Sequence, residues 1–544
     1  MRRIFSASVV LLAIVWAPSA LAGGWTASVP FTNQVASSPT PGWGYPDPSG
    51  APTPGTCTGG SFNSNRSESW LAVKPGTENL VGSSKFFFDR YSTFYNFYLG
   101  AYTIENGNPS GNVGIPGYDC VTTGTQAMPP SWTNATDPNV AFDTQGRAYS
   151  VTLPFNAYWT NLHPNGAIGA VYSDDIGKTW HPANGGKYLE LLNNQSSFSF
   201  GAFEDKQWVA VNDAPYSLFR DHVYAMWAIF NGNTIKLMES VSWDRGLTFS
   251  APIQISVPSQ TGPATTYVYP SVDAAGDLYV SLAAFPSSGG ADADMYVTHS
   301  SNDGQTFAPW TFVARAHGVP GTEDFANGNF RDGILENFAA SSTYAGHAYV
   351  TYEDWDAVTS SMDVKLSYTT DGGRTWSLPA TVNDQATVLD GTDQFQPSVA
   401  EGPNGAVAVA FYDRRQACGK GASIAQTGKA NACIDVSLQA YKDNGSGLSK
   451  VGSNARITQY QWDPSEPVQK VGGIGQAACS GVDDPCSEIF IGDYFGLAIS
   501  QGNIYALFVS THYPATVGAD GGGRVYYQQQ VLATVSRGAY GSGY

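Results

Sequence analysis

Charge is scarce in this chain: only 13% of its 544 residues are Asp, Glu, Lys or Arg, about half the share usual for soluble domains. Bases are the rarer sign, with 27 Lys and Arg against 45 Asp and Glu for a formal charge of −18, and no basic run occurs anywhere. A phosphate backbone or an anionic lipid surface would find no cationic footprint here, so nucleic acid is not an expected partner. Helical periodicity is nearly absent, and neither a CxxC pair nor an HExxH string occurs, which removes structural zinc and zincin chemistry. Beyond the N-terminus no apolar run reaches the roughly 20 residues needed to span a bilayer.

What is plentiful is Gly (60), Pro (32) and aromatic side chains: 14 Trp, 30 Tyr and 27 Phe. That composition excludes a disordered chain, a coiled coil and a long-helix protein. Length alone suggests three or four domains of about 150 residues, unless a repeat joins them into one.

The first residues, Met1, Arg2 and Arg3, precede an apolar stretch from Val9 to Trp16 and then Ala20, Leu21 and Ala22. A charged region, an apolar region and a small-x-small site read as a signal peptide over residues 1–22, cleaved after Ala22. A secreted or periplasmic protein is expected, with no membrane span in the mature chain, and a monomer. Export makes the six cysteines a disulfide set. Pairing of neighbours, Cys57 with Cys120, Cys418 with Cys433 and Cys479 with Cys486, is the simplest of the 15 connectivities that six cysteines allow.

Four strings recur: SDDIGKTW at 173–180, SWDRGLTF at 242–249, SSNDGQTF at 300–307 and TTDGGRTW at 369–376. Each has Ser or Thr, then Asp or Asn two residues on, then Gly, Thr and an aromatic. The short acid caps turn amides, Gly supplies positive φ, Thr returns the chain to extended geometry, and the aromatic covers the turn. Their glycines, Gly177, Gly246, Gly304 and Gly373, are 69, 58 and 69 residues apart, a spacing that suits one four-stranded blade plus loops. Between them, apolar runs flank Gly-centred turns, as in NVAFDTQGRAYSVT from 139 and PSVAEGPNGAVAVAFY from 397. These read as inner-strand hairpins, opening near residues 68, 137, 205, 269, 336, 396 and 493. The expectation is an all-β propeller of six or seven blades, seven being favoured, over residues 63–536. An irregular Ser/Pro/Gly-rich segment (23–62) would precede it and a flexible tail (537–544) would follow.

The turn string resembles the Asp-box, or BNR repeat, of sialidases and related secreted bacterial β-propeller proteins; DKQWVAVND at 205, FYDRR at 411 and GDYFGLA at 492 add to the likeness. The resemblance covers most of the mature chain and implies the fold. It says less about activity, since such turns lie far from the active site in catalytic and non-catalytic members alike.

Polar groups that precede inner strands converge on the mouth of a propeller's channel. That reasoning selects Glu68, Asp137, Asp205, Asp493 and Tyr494 as candidate catalytic groups, and Arg331, Arg414, Arg415 and Trp355 as candidate substrate contacts, with Trp159 a further loop aromatic. Paired carboxylates serve glycoside hydrolysis. A sialidase instead uses a Tyr nucleophile beside a carboxylate and an arginine triad, which Tyr494, Asp493, Arg331 and Arg415 imitate most nearly. The Arg-Ile-Pro string that opens a typical sialidase is missing, however, and no three arginines fall into the triad by motif. The expected function is a sialidase-like glycoside hydrolase acting on an extracellular glycan. A carbohydrate- or protein-binding propeller and a polysaccharide lyase are the alternatives. No cofactor is expected; a ring of carboxylates could hold Ca²⁺, but no loop pattern calls for it.

Overall fold

The computed structural model describes residues 29–37, 65–87, 97–115, 132, 134–156, 166–192, 202–232, 234–286, 292–320, 325, 328, 330, 332–333, 336–384, 392–416, 432–464, 470–471, 474–475, 489–510 and 528–544. Seven antiparallel sheets follow one another along the chain. Their innermost strands are Arg66–Val73, a broken pair Asn134–Thr136 and Ala141–Phe142, Phe203–Val211, Thr265–Val272, Asn337–Ala340, Gln394–Gly402 and Gly496–Ile499. Each inner strand pairs with the next strand in sequence and the sheet grows outward, so these are the seven blades of a propeller.

The last blade is completed from the other end of the chain. Phe31–Val35 pairs antiparallel with Gln529–Ser536 as its outermost strand. Part of the segment read as irregular is therefore a strand, and it closes the ring by joining the N-terminal residues to the final blade. The C-terminal residues also differ from the expected loose tail. Arg537–Tyr540 forms a 3-10 turn, Arg537 is buried, and the Tyr544 hydroxyl donates to the Val407 carbonyl at 2.8 Å.

Apolar side chains fill the spaces between sheets. The second strand of blade 6, Ala406–Asp413, is buried along its whole length, as a strand covered on both faces must be. The inner strands of blades 7 and 1 approach each other closely. A methyl at Gly496 would lie 2.6 Å from the Leu71 backbone nitrogen, so only glycine fits that seam.

The four repeated strings link the third and fourth strands of blades 2 to 5, at the end of the ring opposite the start of the inner strands. In the first, Asp175 accepts from the Ser173 hydroxyl (2.8 Å), the Thr179 amide (2.8 Å) and the Thr179 hydroxyl (2.7 Å), while Gly177 takes φ +79°. Asp244 and Asp371 repeat the arrangement with Thr248 and Thr375, and Asn302 accepts from the Thr306 amide while its side-chain amide donates to the Thr306 hydroxyl. Of the four aromatics, Trp180 is buried, whereas Phe249, Phe307 and Trp376 are half-covered. This end is also laced between blades: Arg245 of blade 3 pairs with Asp143 of blade 2 at 2.7 Å, and Asp443 of blade 6 accepts from Tyr349 of blade 5 at 2.6 Å. No helix among the described residues is long and apolar enough to cross a membrane.

Candidate functional site

At the opposite end, the inner strands share an uncommon feature. Glu68 (φ +47°), Asp137 (+59°), Lys206 (+53°), Tyr267 (+58°) and Gln396 (+44°) all have left-handed backbone, and Gly492 stands in the equivalent place in blade 7 with φ +102°. In blades 1, 3, 4 and 6 the residue sits in a bulge, where the register with the second strand shifts. A bulge with a left-handed residue turns side chains out of the strand's alternation, here towards the channel. Such a conformation is costly for a residue with a Cβ and gathers where function needs it.

The side chains so aimed form one charged network. Lys85, from the second strand of blade 1, reaches Glu68 at 2.8 Å and Asp137 at 3.8 Å. Lys206 pairs with Asp493 at 2.9 Å, and its backbone amide donates to Asp137 at 3.0 Å and to Asp205 at 2.9 Å. The Asp493 amide donates to Glu68 at 3.3 Å. Across the mouth, Gln396 donates its side-chain amide to Asp332 at 3.0 Å and to the Gly492 carbonyl at 2.8 Å, and its backbone amide to Glu353 at 2.8 Å.

Burial and crowding split these acids into two kinds. Burial, only partly offset by Lys206 and reinforced by the neighbouring Asp137 carboxyl, pushes Asp205 up to about 7. Burial, with Asp493 and Asp393 nearby, pushes Asp332 up to about 8, and Glu353 and Glu336 are also held well above the ordinary carboxyl range, chiefly by burial. In Asp137 burial acts in the same direction but is outweighed by Lys206 and Lys85, so that carboxyl lies below its usual value. Protonated and ionised carboxyls therefore stand side by side, the arrangement that acid/base catalysis requires.

A cavity of about 420 Å³ opens on this network. Asp205, Lys206, Asp332 and Asp493 line it, with Tyr267, Phe230 and Phe285 as an aromatic wall. Beneath the charged level four rings pack together: Trp208 lies 4.6 Å from both Trp70 and Tyr269 and 5.1 Å from Tyr494. Past them the inner strands of all seven blades line a second cavity, of about 260 Å³.

Glu68, Asp137, Asp205 and Asp493 thus share one network, as the sequence predicted, but the other candidates are placed differently. Tyr494 belongs to the aromatic layer below the charged groups. Its hydroxyl donates to the Pro138 carbonyl at 3.2 Å, and burial, then Glu68 and Asp137, holds the phenol far from ionisation, the opposite of what a nucleophile needs. Arg414 is buried against Asp393 at 3.1 Å and Arg415 against Asp413 at 2.7 Å; neither lines the cavity. Trp355 packs partly buried against the core of blades 6 and 7 and does not line it either. Arg331 and Trp159 lie outside the described residues, as do residues 1–22 and every cysteine but Cys433, which is disulfide-bonded.

Sequence reasoning missed Lys85 and Glu353, because both come from second strands. The signal that finds them is register: antiparallel pairing sets Lys85 opposite Ser67, so the end of a second strand reaches the level at which its inner strand starts. Tyr267 was passed over because it falls within a strand pattern that gives no hint of a bulge.

No protein-family model matches the chain, and no curated protein sequence does. Among solved structures, the Hadza microbial sialidase Hz136 is similar at 13% identity with a TM-score of 0.43, over 70% of this chain and 66% of that one. An ulvan lyase shares 10% identity at 0.40, over 82% and 91% of the two chains. The Trypanosoma rangeli sialidase shares 13% at 0.38, over 85% of this chain and 59% of that one. The chain spans just under two thirds of the first of these sialidases and less of the last. At such identities the likeness is one of architecture, and the architecture is a seven-bladed β-propeller of four-stranded antiparallel blades.

Proposed function

We propose that the mouth is the active site of an exported glycoside hydrolase built on an Asp-box propeller, with Asp205 as the proton donor and Asp493 as the carboxylate that acts from the other side. The observation that carries this reading is that both line one cavity while their surroundings differ. Asp493 is ion-paired with Lys206; Asp205 shares its site with the Asp137 carboxyl and is held up to about 7. Acid and carboxylate in one pocket are the minimum for glycosidic cleavage, and the aromatic wall offers faces on which sugar rings stack. Among the described clamp candidates, Arg414 and Arg415 are held by Asp393 and Asp413, which favours a glycan without a carboxylate at the cleavage site.

The exported chain should release reducing ends from some member of a neutral-glycan panel. Asp205→Asn and Asp493→Asn should each lower kcat/KM by about 10²-fold or more. Activity should fall as pH rises through about 7, where Asp205 loses its proton. No turnover on any glycan, with a glycan nevertheless retained on an array, would make this a binding propeller. An ultraviolet-absorbing unsaturated product would make it a lyase.

A further inference from the structure

The described wall of the mouth cavity comes mostly from blades 3 and 4, and its two ends differ in chemistry. Asp205, Lys206 and Asp493 stand at the axial end, within the network around the channel. From there the wall continues to Phe230, Ile235 and Phe285. Phe230 is on the second strand of blade 3 (Val223–Asn231), Ile235 on the third (Thr234–Ser242), and Phe285 follows the second strand of blade 4 (Leu278–Ala284). Each strand step lies roughly 5 Å further from the axis, so the polar and the apolar groups occupy different ends of one space.

Local pairing fixes what the outer end presents. Phe230 lies flat against Phe203, with ring centroids 5.0 Å apart and planes 6° from parallel, and Phe285 meets the Tyr267 ring edge-on at 6.1 Å. The backbone at this wall is already used: the Ile235 amide donates to the Pro263 carbonyl at 2.8 Å and the Phe285 amide to the Ala264 carbonyl at 2.9 Å. Ring and alkyl surface is what remains. Phe has no polar edge, unlike the Trp and Tyr that can stack on a sugar and also bond its hydroxyls, and a hydroxyl buried against such a wall without a partner is costly. Asp205 belongs to the same blade and pairs in register with Ala228, two residues before Phe230. The group beside the proton donor is the leaving group, so it is the leaving group that meets the apolar wall.

We propose that the outer end of the mouth cavity is a subsite for an aromatic ring on the leaving group, so that the preferred bond joins a neutral sugar to an alcohol bearing such a ring. This rests on the hydrolase reading above and names its substrate class. A flat ring can meet Phe230 and Phe285 by offset or edge contact and loses its hydration in doing so. The Tyr267 ring, which carries a hydroxyl and lies 5.2 Å from Lys206 Nζ, is left for the sugar. As the bond between the anomeric carbon and the alcohol oxygen breaks, Asp205 gives that oxygen its proton. Water then gives its hydroxyl to the anomeric carbon and its other proton back to the carboxylates, leaving free sugar and aromatic alcohol.

The test compares benzyl with methyl glycosides of glucose, galactose, mannose and xylose, in both anomeric forms, on the exported chain. The two alcohols have nearly equal acidity, so a difference between them reports the ring and not the ease of departure. Affinity by calorimetry, and kcat/KM wherever cleavage occurs, should favour the benzyl glycoside by at least about tenfold, which is 1.4 kcal/mol. Phe230→Ala and Phe285→Ala should each bring that ratio towards one; if a variant fails to fold, the ratio in the native chain decides alone. A native ratio near one, no binding of any benzyl glycoside, or a preference that survives both substitutions would overturn the subsite. A disaccharide preferred over the benzyl glycoside of the same sugar would overturn its assignment to an aromatic ring and give the wall to a second sugar. Benzyl preference in binding without cleavage would leave the subsite standing and remove the hydrolase, whereas cleavage without benzyl preference would do the reverse.

Discussion

At the end of the ring away from the mouth, Asp175, Asp244 and Asp371 lie in turns where burial would raise them. Hydrogen bonds from Thr179, Thr248 and Thr375 overcome it and hold each carboxyl below its ordinary value. At the mouth, Asp205, Asp332 and Glu353 are pushed the other way. The backbone is left-handed at both ends: the repeated turns hold Gly177, Gly246, Gly304 and Gly373 at positive φ together with Ile176, Arg245 and Asp303, and the mouth holds five residues with side chains in that conformation. In the turns each short acid is satisfied by its own turn. At the mouth Asp205, Asp332 and Glu353 are crowded by other carboxyls and raised, which makes it the candidate site.

The sharpest way to break the comparison is to remove a counter-charge at each end. Lys85→Met should strand Glu68 and Asp137, since Lys85 is 4% exposed and its partners 0% and 3%. Loss of a partner from so buried a network costs about 3–5 kcal/mol, readable by chemical denaturation. Lys178→Met, which breaks the exposed pair with Glu105, should leave the denaturation midpoint within error. Equal effects would mean that the mouth network is no more desolvated than the surface.

Gly492→Ala comes next. The added methyl would lie 2.6 Å from the Glu68 backbone, at φ +102°, and overpacking of that kind costs about 1–3 kcal/mol. Activity should fall with it, because Glu68 and Gln396 both bond to the backbone around residue 492. Asp244→Ala at the far end should cost about 1 kcal/mol, the loss of a turn cap, and leave kcat/KM unchanged.

The smallest effect is a pH dependence of opposite sign at the two ends. A carboxyl raised in the folded state favours folding while protonated, so its contribution is greatest at low pH. That contribution is lost as pH climbs from the unfolded value of about 4 through about 7 for Asp205 and about 8 for Asp332. The turn acids, being lowered, stabilise above the unfolded value, and their contribution is lost as pH falls through the folded one. Thermal midpoints should therefore decline from mildly acidic to mildly alkaline pH in the native chain and decline less in Asp205→Asn and Asp332→Asn. An unchanged slope in both variants would contradict the protonated state of the mouth.

Much of the fold was legible because it is written in local chemistry. A Gly at 177, 246, 304 and 373, with a short acid before it and Thr after it, can close its turn with no help from distant residues. The inner-strand openings fell near the observed starts at Arg66, Phe203, Gln394 and their equivalents for the same reason. The site was half legible. Glu68, Asp137, Asp205 and Asp493 were found because each precedes an inner strand, and a propeller must bring those positions together. Arg414 and Arg415 were misread because an arginine's role depends on the nearest carboxylate, and Asp393 and Asp413 reach them only after folding.

By itself, then, the sequence determined the repeat, the blade and the set of acids that would meet, since turns and alternation act over a few residues. Tertiary structure alone decided which of those acids keep a proton, which basic residues neutralise them, and that Phe31–Val35 closes the ring. Those outcomes depend on desolvation and on contacts between residues hundreds of positions apart, such as Lys206 with Asp493, which no local pattern encodes.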